Sequence, residues 1–104
     1  MNLIELENAC RDWGEERNIT LEGGATVQAQ ISKAIEEIAE AVKTLGQEKV
    51  DQEQLKDDLG DITVCVIQAA RLANTDLTEC LTKSWNDIKD RRGVMRDGKF
   101  YKEE

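Results

Sequence analysis

At 104 residues the chain is expected to form one domain over its whole length, 1–104, because a core of this size rarely divides and no second compositional block is present. The absence of proline, the four aromatic side chains and the abundance of Ala, Leu, Ile, Glu, Lys and Gln exclude a mainly β fold and predict an all-α class. With 22 acidic against 14 basic side chains and a net charge of -8, non-specific binding to a nucleic-acid backbone is excluded; the balance suits a metal ion better.

The first predicted helix runs from about Asn2 to Arg17, with Leu3, Leu6, Cys10 and Trp13 as its apolar seam and Gly14 weakening its last turn. Asn18 to Glu22 loses the helical period, and Gly23-Gly24 breaks any helix. Thr26 is placed to cap a second helix, whose stripe Val27, Ile31, Ile35, Ile38, Val42 and Leu45 advances in steps of four and three until Gly46. After a polar link, Gln47 to Val50, Asp51 can cap a third helix bearing Leu55, Leu59, Ile62, Val66, Ala69 and Ala73. So short a link makes helices two and three antiparallel neighbours.

Asn74-Thr75-Asp76 predicts a turn and a cap for the fourth helix, with Leu77, Leu81, Trp85 and Ile88 as its seam. The tail 93–104 has no helical period and reads as a basic, partly ordered extension. The expectation is a four-helix bundle with an antiparallel central pair. Apolar stripes on all four helices exceed what one small core can enclose, so a homodimer or homotetramer is expected.

The longest apolar run, Ile62 to Ala70, is too short to span a bilayer, and the N-terminus MNLIELENAC carries acids where a signal peptide carries bases. No membrane partner is expected, and the cytoplasm is the expected compartment. Cys10, Cys65 and Cys80 have no C-x-x-C spacing and are read as small hydrophobes. The lack of histidine removes Ser-His and Cys-His nucleophile pairs and makes a structural zinc site improbable. The remaining chemistry belongs to carboxylates, Lys, Arg and metal-bound water.

On the second helix Glu36, Glu37 and Glu40 form EExxE, and Lys33, Glu37 and Glu40 share one side of the helical wheel. On the third, Asp58 and Asp61 form DxxD, one turn apart, and this column continues into Cys65 and Leu72. Charge runs on helices are usually a solvated face. From Ile62 to Ala70, however, the third helix is apolar almost all round, which puts Asp61 at the mouth of a core. Two carboxylates ~5 Å apart repel by roughly 3 kcal/mol at an effective dielectric of about 20. A hard divalent cation relieves that repulsion, and an all-oxygen ligand set points to magnesium or manganese rather than zinc.

The pattern Gln30-x-x-Lys33-x-x-Glu36-Glu37-x-x-Glu40, followed by Asp58-Leu59-Gly60-Asp61, resembles the all-α nucleoside triphosphate pyrophosphohydrolases of the MazG-like type. That family commonly has Glu at the position of Asp58. Trp85-Asn86-Asp87-Ile88-Lys89-Asp90-Arg91-Arg92-Gly93 and Asp97-Gly98-Lys99-Phe100 resemble the ending of short phage-type and bacterial members. The resemblance implies magnesium-dependent conversion of NTP and water to NMP and pyrophosphate. By position it implies Glu37, Glu40, Asp58 and Asp61 as metal ligands or holders of metal-bound water, with Glu36, Glu37 and Lys33 in catalysis. It further implies that Lys33, Asn86, Lys89 and Arg92 meet the phosphates.

Each of these has a structural alternative. Lys33 can pair with Glu37 one turn on, Lys89 and Arg92 favour the negative end of a helix dipole, and Trp13 is either a seam residue or a platform for a nucleobase. Two other readings of the whole chain stand beside the leading one. One is a non-catalytic acidic helical module that oligomerises or binds a partner protein. The other is a narrower activity of the same superfamily, on dUTP, dCTP or phosphoribosyl-ATP.

Overall fold

Each helix begins where a side chain satisfies its first free amides. In the computed structural model, which describes residues 1–103, Asn2 caps α1 (Leu3–Glu16) and forms a capping box with Glu5. Thr26 caps α2 (Val27–Leu45), Asp51 caps α3 (Gln52–Leu72) and Asp76 caps α4 (Leu77–Ile88). Gly46 closes α2, and beyond α3 Asn74 takes a φ of 63°, which asparagine tolerates better than most side chains. The four helices fall where the periodicity puts them. None of the described helices is long and apolar enough to cross a membrane.

The faces that pack differ from those the apolar stripes predict. On α2 the buried residues are Ala34, Ala41 and Thr44, whereas Ile31, Ile35, Ile38, Val42 and Leu45 are all exposed, Ile35 at 62% and Val42 at 64%. The small face lets α2 approach α3 closely, since interaxial distance follows side-chain size at the contact. The aliphatic stripe lies roughly 100° further round the helix. On α3 the run Ile62 to Ala70 is buried in part: Cys65, Ile67, Gln68, Ala69 and Ala70 are enclosed, while Ile62, Val64 and Val66 are half-buried.

The expected seam of α1 is likewise corrected. Leu3, Leu6 and Trp13 are exposed, and the buried residues are Glu7 and Gly14. Gly14 lies against Gln68: a Cβ there would stand 2.1 Å from the Gln68 Oε1. Gln68, 1% exposed, donates to the Cys10 carbonyl at 2.7 Å and accepts from Arg71 Nε at 3.0 Å. Arg71 also donates to the Ile19 carbonyl, tying the α1–α2 loop to α3. The Glu7 carboxylate accepts from the Leu77 amide at 2.7 Å, and Arg11 donates to the Thr75 carbonyl at 3.0 Å. Polar contacts therefore fix α1 over α3 and the start of α4.

The tail is a second correction. Residues expected to extend without regular structure form an antiparallel hairpin of β1 (Gly93–Arg96) and β2 (Lys99–Lys102), with Val94 opposite Tyr101 and Met95 opposite Phe100. Asp97 and Gly98 form its turn with φ of 51° and 77°, the two positive φ values that a type I′ hairpin turn requires. An Asp-Gly pair between strand-forming residues is that hairpin's sequence signal. The all-α expectation thus becomes four helices with a small two-stranded sheet. Cys80 is exposed and Cys10 half-buried, so of the three free thiols only Cys65 is the buried hydrophobe expected of all three.

Candidate functional site

Thr44 Oγ1 donates to Asp58 Oδ2 at 2.6 Å, which sets the register of the antiparallel α2–α3 pair. Counting along both helices from that bond brings Ala41 level with Asp61 and Glu37 level with Cys65. The electrostatics agree. Burial pushes the Cys65 thiol up, and the charges of Glu37 and Asp61 add to the effect while Lys33 opposes it. The Asp61 carboxyl is raised by burial first, then by the neighbouring Asp57 and Asp58 charges, and lowered by Lys33. Lys33, Glu37, Asp61 and Cys65 therefore share one side of the helix pair.

Glu37 is half-buried there, whereas Lys33, Glu36 and Glu40 are exposed. By helical position Glu36 and Glu40 lie on the same side of α2, away from the aliphatic stripe. Against the Asp61 side of α3 stands α1. Trp13 and Asp61 line one groove of about 420 Å³ together with Leu6, Ala9, Cys10 and Val64. Trp13 is 43% exposed, so its ring is neither core nor free surface but one wall of an apolar groove that has a carboxylate at its edge.

Asp58 stands apart from the other acids. It is buried, and both carboxylate oxygens are engaged, Oδ2 by Thr44 and Oδ1 by Gln54 Nε2 at 3.0 Å. Among the described residues no three carboxylate or thiol side chains are gathered closely enough to hold a metal ion. The donor chemistry nonetheless suits a hard divalent cation. Glu37, Glu40 and Asp61 offer only oxygen, and burial, followed by the Asp57 and Asp58 charges, disfavours the Asp61 carboxylate that a cation would stabilise.

The residues assigned to phosphate by resemblance divide between two places. Lys33 lies beside Asp61, but Asn86 and Arg92 line a separate polar groove of about 500 Å³ with Asp87, Asp90, Arg91, Lys102 and Glu103. Lys89 is the exposed C-cap of α4. Three residues that shape the site escaped the sequence reading. Gln54, one turn before Asp58, and Gln68, a lone amide inside an apolar run, left a signal in the sequence; Thr44, whose partner is on another helix, left none. Set against profiles of protein families, curated proteins and solved structures, the chain gives no match.

Proposed function

We propose that the chain is a divalent-metal-dependent nucleoside triphosphate pyrophosphohydrolase of the MazG-like kind, converting NTP and water to NMP and pyrophosphate. The observation that carries this reading is the juxtaposition of Trp13 and Asp61 on one groove, with Lys33 near both Asp61 and Cys65 and Glu37 near Cys65. An apolar wall for a base, a cation for phosphate and carboxylates for a metal then lie along one side of the α2–α3 pair.

Glu37, Glu40 and Asp61 are the carboxylates that would have to close on magnesium or manganese, which when bound would neutralise triphosphate charge and lower the pKa of a coordinated water. Lys33 meets a phosphate oxygen. Glu36, exposed on the same side of α2, orients the attacking water and takes its proton. Trp13 stacks on the base and keeps water from that end of the groove. Asp58 is buried and accepts from Thr44 and Gln54, so its first role is to hold α2 and α3 in register.

The aliphatic stripe of α2, exposed from Ile31 to Leu45, supports self-association as a homodimer or homotetramer, since burying it removes a large apolar surface from water. The same stripe favours the second reading, a non-catalytic acidic module. A panel of ordinary and modified nucleoside triphosphates with magnesium, scored for pyrophosphate against phosphate, separates the two. Pyrophosphate release supports the enzyme. No turnover of any triphosphate at millimolar magnesium or manganese leaves the module.

A further inference from the structure

The strands Gly93–Arg96 and Lys99–Lys102 form a hairpin that meets the helices only lightly among the described residues, Lys102 sharing a polar groove with Asn86 and Asp87 of α4. A lone two-stranded hairpin is marginally stable in water, and this one has two different faces. The pairing of Val94 with Tyr101 and Arg96 with Lys99 puts those four side chains on one face, where Arg96 stacks 5.3 Å from the Tyr101 ring centroid. Met95 and Phe100 share the other face and are 67% and 52% exposed. Arg96 directly opposite Lys99 is a like-charge cross-strand pair, which destabilises a hairpin standing alone.

The charge is segregated along the chain. From residue 89 to 104 stand Lys89, Arg91, Arg92, Arg96, Lys99 and Lys102 against Asp90, Asp97, Glu103 and Glu104, a net charge of +2 in a chain whose total is -8. The surface of opposite sign is the side of the helix pair bearing exposed Glu36, Glu40 and Asp57 with half-buried Asp61.

We propose that the basic hairpin of one copy docks on the acidic α2–α3 side of a second copy of this chain, setting Arg96 and Lys99 against Glu36 and Glu40. The proposal rests on the self-association reading and adds a charged contact on the side of α2 away from the aliphatic stripe. Docking is reciprocal in a two-fold dimer: each hairpin meets the other's acids. It also places cationic side chains over the neighbour's candidate site.

Two charge-reversal variants test this, R96E/K99E and E36K/E40K, with dissociation constants read by sedimentation equilibrium and helix content checked by circular dichroism. Each variant alone should dissociate at least about tenfold more readily, because rim and face charges repel once reversed. Mixed together they should recover a heterodimer of near-parental affinity, since both docking contacts then pair opposite charges. Raising salt should weaken the parent and the mixed pair alike.

A parental chain that is monomeric at micromolar concentration overturns this proposal together with the self-association reading. A parental dimer that R96E/K99E leaves intact overturns this proposal alone. Binding of a single-stranded oligonucleotide that R96E/K99E abolishes, with self-association unchanged, would assign the hairpin to nucleic acid and overturn it as well.

Discussion

Thr44 Oγ1 stands 2.6 Å from Asp58 Oδ2 across the α2–α3 interface, and it supplies one of two donors to a carboxylate that is 3% exposed. Hydrogen bonds to a charged group contribute more than neutral ones, and a buried carboxylate that loses a donor keeps its desolvation cost. Thr44→Val preserves shape and removes the donor. It should lower stability by about 1.5–3 kcal/mol, whereas Thr44→Ser should stay close to the parent. Urea unfolding midpoints measure both, and an unchanged midpoint for the valine variant would mean that this bond does not hold the helix pair.

Gly14→Ala tests the α1–α3 contact through a conflict of signs. In an exposed helix the change to alanine gains roughly 1 kcal/mol. Here the new Cβ would stand 2.1 Å from the Gln68 Oε1, so the buried amide must shift and give up the Cys10 carbonyl or Arg71. The expected result is a net loss of about 1–3 kcal/mol. Combining it with Gln68→Ala should cost less than the sum of the two changes, because they touch the same contact. A stabilising Gly14→Ala would show that α1 does not approach α3 this closely.

For Asp61→Asn, stability and activity should move in opposite directions. The folded-state pKa of Asp61 lies above the ordinary 3.8, so the folded protein holds this proton more tightly than the unfolded chain does. The parent therefore loses stability as pH rises from 3.8 through the raised folded value, and carries the full penalty above that window. The asparagine variant has no such titration. It should match or exceed the parent's stability at pH 7, with the advantage disappearing below pH 3.8.

Magnesium should stabilise the parent by about 2.7 kcal/mol at a hundred times its dissociation constant, and the variant should lose that shift. The proposed pyrophosphohydrolase activity should fall at least about a hundredfold, beyond the range typical of residues that only orient a metal ligand. Melting curves against pH and metal, read beside pyrophosphate release, check the set. Equal activity and an equal magnesium shift in parent and variant would remove Asp61 from the site.

The amino-acid sequence determined the helices and their ends, because caps and periodicity act over a few neighbouring residues. Asn2, Thr26, Asp51 and Asp76 each start the helix that follows them. The hairpin is equally legible in Asp97-Gly98, a turn pair flanked by Val94-Met95 and Phe100-Tyr101. The face each helix buries was decided by tertiary structure. Counting hydrophobic residues selects Ile31, Ile35, Ile38, Val42 and Leu45, but close approach to α3 selects Ala34, Ala41 and Thr44.

The candidate site divides in the same way. Helical spacing alone put Glu36, Glu37 and Glu40 on one helix and Asp58 and Asp61 on the next. Only the packing of α1 brought Trp13 to the same groove as Asp61, and only the register of α2 on α3 committed Asp58 to Thr44 and Gln54. Local geometry repeats along a chain and can be counted; the pairing of one helix face with another depends on which surfaces fit, and that is fixed only when the helices meet.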